Sequence, residues 1–141
     1  MSRSEQLASI RVLVVEDEFL VAMDAEDMLR SFGFENIRIE SRVEPALTAV
    51  ETGDFDLVLL DMNLNGQRSD AVARALGERN IPFIVTTGYQ LSEADLEAFG
   101  LPPYVRKPYG AAQLHRSVLS ALSPFWAAPA PAEAGTAADR G

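Results

Sequence analysis

Five side chains capable of chemistry stand where short apolar runs stop. Glu16 and Asp17 follow RVLVV, Asp61 follows DLVLL, Thr87 follows PFIVT, and Lys107 follows PYVR. A carboxylate that ends a run of branched apolar residues costs several kcal/mol when buried without a partner. Asp61, in LVLLDMNLNG, must therefore face something that answers its charge. Carboxylates brought together raise one another's pKa unless a divalent cation sits among them. The chain has no cysteine and one histidine, so the donor set is all oxygen, which favours Mg²⁺ over zinc. A carboxylate beside Mg²⁺ that keeps one oxygen free can attack phosphorus and form an aspartyl phosphate. Such transfer needs in-line positioning and neutralised charge. Thr87 offers a hydroxyl for this, Lys107 a compact cation, and Gly88 leaves room for a bulky phosphodonor.

The segments that must position these groups alternate between two periods. The β-branched runs at 11–15, 36–39, 56–60, 82–86 and 103–106 read as strands. Between them Val21, Ala25, Met28, Leu29 and Phe32 form one helical stripe that Gly33 can end. Val43, Ala46, Leu47 and Val50 form a second stripe, and Val72 with Leu76 a third. Ser92 and Asp95 have capping-box spacing, with Leu91 and Leu96 placed for a hydrophobic staple. Ala111, Leu114, Val118 and Leu122 mark the last helix. Five such units predict an α/β fold: a doubly wound, five-stranded parallel sheet of order 2-1-3-4-5. Its ligand crevice opens at the carboxyl ends of the first and third strands, where Glu16, Asp17 and Asp61 fall.

With 141 residues, 48% of them apolar, the chain suits a single domain at 10–123. Residues 1–9 read as an N-terminal extension, and the Ala/Pro-rich 124–141 as a tail expected to stay mobile. Twelve basic and 21 acidic side chains give a net charge of −9, which argues against direct DNA binding. No signal peptide or membrane-spanning run is visible, so no membrane insertion and a cytoplasmic location are expected.

These residues resemble the receiver domains of two-component response regulators, over about Ile10 to Leu122. The resemblance is carried by the acidic pair Glu16 and Asp17, by Asp61, by Thr87, and by Lys107 followed by Pro108. It implies a flavodoxin-like (βα)5 fold and a phosphoacceptor role for Asp61. It further implies Mg²⁺ coordination by Asp17 and Asp61, with Glu16 acting through water and the main-chain carbonyl of Asn63 adding a ligand. Thr87 and Lys107 would bind the phosphoryl group, and the bond before Pro108 would be cis. Tyr104 occupies the place of an aromatic that swings inward with Thr87, and Tyr89 either shields the phosphoryl group or covers the crevice. VTTGY (85–89) with the Asn-Gly turn of NLNG looks like the subgroup named for a Phe-Ala-Thr-Gly-Tyr motif, although Val85 and Thr86 replace Phe-Ala. Members of that subgroup are often stand-alone and served by histidine kinases of the HWE or related class.

The expected activity is phosphoacceptance from a sensor histidine kinase followed by slow hydrolysis, making the protein a signalling switch, not a turnover enzyme. Output would pass to a downstream protein partner, on the face of the fourth helix, fifth strand and fifth helix, or to a phosphotransfer protein. An aspartyl-phosphate phosphohydrolase is the alternative; it normally needs a second Asp where this chain has Asn63. A nucleotide-binding module would want a Gly-rich first turn, where VVEDEF offers carboxylates. His115 reads as a polar surface residue of the last helix, and Trp126 as packing at its end.

Overall fold

The computed structural model describes residues 2–123. The tail expected to be mobile, and Trp126 within it, lie outside the described residues. In chain order the elements are α1 (Arg3–Ser9), β1 (Arg11–Val15), α2 (Phe19–Phe32), β2 (Asn36–Glu40), α3 (Val43–Thr52) and β3 (Leu57–Asp61). A small hairpin follows, β4 (Asn63–Leu64) and β5 (Gln67–Arg68), then α4 (Asp70–Glu78), β6 (Phe83–Thr87), α5 (Glu93–Ala98), β7 (Tyr104–Arg106) and α6 (Ala111–Leu122). The five long-range strands pair in parallel in the order β2-β1-β3-β6-β7. This is the expected 2-1-3-4-5 arrangement with a hairpin added after the third strand.

Side-chain alternation along the central strands divides the core. Leu13, Val15, Val58 and Leu60 face a layer made by α3, α4 and the flanks of α5, through Ala46, Val50, Val72, Leu76, Leu91 and Phe99. Val12, Val14, Leu57 and Leu59 face α2 and α6, through Ala25, Leu29, Leu114 and Val118. Strands covered on both faces need continuous apolar runs, which is why RVLVV and LVLL do not alternate with polar residues. Each fully buried Val or Leu contributes roughly 1.5–3 kcal/mol.

Several expectations shift. The N-terminal extension holds the helix α1 over Arg3–Ser9, opened by a capping box in which Ser2 and Glu5 exchange hydrogen bonds. Its Leu7 packs on the α2 and α6 layer. Gly33, at φ 113°, ends α2 in the left-handed region, and a Cβ there would come within 2.9 Å of Leu7 Cδ1. The third and fourth long strands run one residue later than expected, so Asp61 and Thr87 are themselves the last strand residues. On α2 the buried stripe includes Ala22, with Val21 only half-buried. Ala111 is exposed, because a side chain at the start of α6 leans toward the helix N-terminus and past the sheet, and Ala121 fills the stripe instead. The capping box of Ser92 and Asp95 is present as expected. Leu91 and Leu96 both join the α3 and α4 layer.

Candidate functional site

The carboxyl ends of β1 and β3 bring the acidic groups together. Glu16 extends β1 by donating its N–H to Glu40 O at 3.0 Å, which carries its side chain inward to 4% exposure. Its Oε2 accepts from the N–H of Glu18 at 3.1 Å. Asp61 is likewise 4% exposed. Its Oδ1 accepts from the N–H of Asn63 at 3.2 Å, and its Oδ2 from Lys107 Nζ at 3.0 Å. The same ammonium lies 2.9 Å from Glu16 Oε1 and 3.1 Å from Oε2. Asp17 is half-buried and its Oδ2 accepts from the N–H of Asn65 at 3.0 Å. One oxygen from each of Glu16, Asp17 and Asp61 lies within 4.8 Å of the others.

The electrostatics follow from crowding away from water. Burial pushes the Glu16 carboxyl up to about 7 against the pull of Lys107, and the charge of Asp61 adds to the rise. Burial also raises Asp61, again against Lys107. For the Lys107 ammonium burial acts downward, but its bonds to Glu16 and Asp61 outweigh that and hold it raised. Tyr109, beyond Pro108, is pushed up to about 12 by burial, with Glu16 adding to it. One ammonium against three carboxylates leaves negative charge uncompensated. An all-oxygen donor set with that excess suits a hard divalent cation, and the cluster fits Mg²⁺.

The hairpin holds the rim of this site. Asn65 and Gly66 take φ values of 53° and 82°, the pair of left-handed conformations that a two-residue type I′ turn requires. Leu64 pairs with Gln67 and Asn63 with Arg68, while the N–H of Ser69 donates to Met62 O at 2.9 Å. Asn63 thus falls at a non-hydrogen-bonded position, where N–H and C=O both turn away from the partner strand. The N–H reaches Asp61, and the carbonyl faces that same side. Ser69, fully buried, donates its hydroxyl to Asp61 O at 2.6 Å and Met62 O at 3.1 Å. Sequence reading missed Ser69, Tyr109 and Arg68; of these only Ser69 has a local signal, its place just before α4.

The remaining expected residues are distributed around this centre. Lys107 continues the ladder by donating its N–H to Thr87 O at 2.7 Å, and the Lys107–Pro108 bond is cis. The Thr87 hydroxyl donates to Tyr89 O at 3.0 Å and accepts from Tyr89 N–H at 3.2 Å. It must exchange these bonds to reach another ligand. The Tyr89 ring is 44% exposed, with its hydroxyl 3.4 Å from Asn63 Nδ2 and 3.5 Å from Met62 Sδ, so it lies over the end of β3. A Cβ at Gly88 would meet nothing within 4 Å, so the space there is open. Tyr104 sits opposite Val85 and packs, partly buried, on the α3 and α4 layer. His115 lies away from the site on the exposed side of α6, its ring 4.6 Å from that of Phe32.

The family model for the response regulator receiver domain matches residues 12–119. The chain belongs to that family. As a receiver it is a phosphoacceptor module of two-component signalling, and the Glu16, Asp17 and Asp61 cluster fits both the family's Mg²⁺ site and its phosphorylation site. It is 31% identical over 120 residues to the transcriptional regulatory protein PdtaR of Mycobacterium tuberculosis, covering 82% of this chain and 58% of that protein. It is 32% identical over 104 residues to the cell cycle transcriptional regulator CtrA of Caulobacter vibrioides, covering 71% of this chain and 45% of that one. The receiver chain therefore spans about half the length of these relatives. Among solved structures, SdrG from Sphingomonas melonis Fr1 matches with a TM-score of 0.70 and 33% identity, over 86% of this chain and 99% of SdrG. The receiver domain of a sensor histidine kinase from Pseudomonas aeruginosa, with magnesium in its active site cleft, shares the fold at a TM-score of 0.72 and 24% identity, over 82% of this chain and 99% of that one.

Proposed function

We propose that the receiver takes a phosphoryl group on Asp61 from the phosphohistidine of a sensor histidine kinase, and that the acyl phosphate is later hydrolysed slowly at the same site. The observation that carries this reading is the shared ammonium: Lys107 Nζ lies 3.0 Å from Asp61 and 2.9 Å from Glu16, at the crevice where Asp17 also points. Asp17 and Asp61 would hold Mg²⁺ directly, with Glu16 acting through water and the Asn63 carbonyl contributing from the hairpin. The bound ion supplies positive charge to the carboxylates and to phosphoryl oxygens.

An Asp61 oxygen attacks phosphorus, the new P–O bond forms as the P–N bond to the kinase imidazole breaks, and the imidazole leaves with the electron pair. Lys107 moves from balancing two carboxylates to balancing the phosphoryl oxygens. Thr87 releases Tyr89 and turns its hydroxyl to the same group, and Tyr104 follows into the space vacated. Phosphate contacts to Thr87 and Lys107 then favour one of two pre-existing states. Gly88 keeps the approach open, and Tyr89 covers the acyl phosphate.

The hairpin turn of NLNG and the VTTGY segment support placement in the Phe-Ala-Thr-Gly-Tyr subgroup, and with it a kinase of the HWE or related class. With that subgroup goes a receiver that works as a separate module, signalling through a protein partner or a phosphorelay. The cytoplasm is the compartment that such a donor implies.

Incubation with acetyl phosphate and Mg²⁺ tests this. The expected result is a stoichiometric, acid-labile adduct that is absent from Asp61→Asn, because an amide cannot attack phosphorus. Undiminished labelling of that variant would overturn the assignment, and rapid turnover of generic phosphomonoesters would favour the hydrolase instead.

A further inference from the structure

One guanidinium joins three elements that sequence separates. Arg68, the last residue of β5, forms a two-pronged pair with Asp70, the first residue of α4, at 2.8 Å (Nε to Oδ1) and 3.2 Å (Nη2 to Oδ2). Its Nη1 donates to Asp95 Oδ1 at 3.2 Å. Asp95 is the capping-box residue of α5, with its other oxygen accepting from Ser92 N–H at 3.3 Å. The guanidinium carbon also lies 5.4 Å from the ring centroid of Phe99, the residue that closes α5. Arg68 therefore touches α5 at both ends.

That grip matters because α5 has little else. It is six residues long and none of them is fully buried. Besides Arg68 it is anchored by Leu91 before it, Leu96 within it and Phe99 after it. The hairpin is tied to the acidic cluster at two points, Asn63 N–H on the Asp61 carboxylate and Asn65 N–H on that of Asp17, and the Ser69 hydroxyl ties it to the main chain of β3 at Asp61 O. A two-residue turn leaves such a hairpin little freedom to absorb displacement internally. Any rearrangement of the Asp61 and Asp17 carboxylates pulls on the backbone of Asn63 and Asn65, and the stiff ribbon delivers that pull to Arg68.

We infer that Arg68 is a positioning residue through which the state of Asp61 is passed to α5, by way of the β4–β5 hairpin and alongside the rearrangement of Thr87 and Tyr104. The inference rests on Asp61 being the phosphoacceptor. Its partner atoms suit the task, since a planar fork holds two carboxylates in fixed directions where a lysine would hold either one loosely.

The test measures amide hydrogen exchange across α5 with and without acetyl phosphate and Mg²⁺, in the wild type, Arg68→Ala, Arg68→Lys and Asp95→Asn. Labelling of Asp61 is followed in parallel. In the wild type, labelling is expected to change α5 exchange by about tenfold, and in all three variants that response falls to about twofold or less while labelling proceeds at the wild-type rate. Asp95→Asn keeps a capping oxygen, so its loss of response separates transmission from simple unfolding of the helix. An α5 response of wild-type size in the variants, or none in the wild type, overturns the inference while leaving Asp61 labelling intact. A wild type that takes no label removes the phosphoacceptor reading, and this inference with it.

Discussion

Glu16 holds its proton at a pH where an ordinary glutamate has lost it, since burial lifts its carboxyl from 4.5 to about 7. The consequence for stability has a definite sign. A carboxyl raised in the folded state stabilises fully below its unfolded value of 4.5, and that contribution is lost as pH rises through about 7. Asp61 shifts in the same direction from the same cause. Protons and a divalent cation compete for these oxygens, so the two effects oppose each other when the ion is added. In EDTA, the thermal midpoint is expected to rise as pH is lowered from about 8 to about 6, while Mg²⁺ affinity falls several-fold over the same interval. Titration calorimetry and thermal melts at both values check this; a Mg²⁺ affinity that does not vary with pH would show that Glu16 is not protonated at the site. Such coupling was foreseeable from three acidic residues at strand ends, but not the part played by Lys107. Its sequence distance from Glu16, 91 residues, hides that one ammonium serves both carboxylates.

At the scale of elements, the strands and most helical stripes were legible because burial on both faces of a sheet demands unbroken apolar runs, and RVLVV and LVLL have no other use. Strand ends were less so: DLVLL and PFIVT each stop at a polar residue, yet Asp61 and Thr87 still pair within the ladder, Asp61 opposite Thr86 and Thr87 opposite Arg106. Helix α1 carried a readable signal, Ser2 and Glu5 at capping-box spacing, but only Leu7 and Ile10 to mark an apolar face, which is too little for a period. The NLNG turn was legible as a turn, whereas the β4–β5 ribbon is only two residues a side and gives no alternation to count. Its attachment depends on Ser69, whose hydroxyl is the donor for two main-chain carbonyls at the end of β3. Ser69→Ala is expected to cost about 1–3 kcal/mol, since the Asp61 carbonyl loses its hydroxyl donor at a fully buried position while the Met62 carbonyl keeps only the main-chain N–H of residue 69. Because the ribbon also places Asn63 and Asn65 on the carboxylates, labelling with acetyl phosphate should slow in the same variant. Urea unfolding and labelling rates measured together check both; an unchanged midpoint would mean that the hairpin holds itself.

For the whole molecule, the net charge of −9 and the acidic crevice add in the same sense, so the site is a local concentration of a charge the chain already carries in excess. The two apolar layers keep the strand ends in place despite that repulsion: Val12 to Val15 and Leu57 to Leu60 are each at most 3% exposed on either side of it. Function and stability therefore pull apart at Asp61. Its carboxyl is raised by burial, so the ionised form that the chemistry needs counts against the fold, in contrast to Asp70, whose bond to Arg68 lowers its carboxyl and supports the fold down to acid pH. Asp61→Asn removes one of the crowded charges, leaves Lys107 free to pair with Glu16, and keeps an oxygen for the Asn63 N–H. The variant that cannot be labelled is thus expected to be the more stable protein in EDTA, by on the order of 1 kcal/mol. Mg²⁺ should then raise its thermal midpoint far less than that of the wild type, because a ligand stabilises only in proportion to its affinity for the folded state. Melts of both proteins, each with and without Mg²⁺, give the four values needed. If Asp61→Asn were less stable without the ion, the ion pair between Lys107 and Asp61 would outweigh the repulsion among the carboxylates, and the site would be held together by its charges instead of held apart by them.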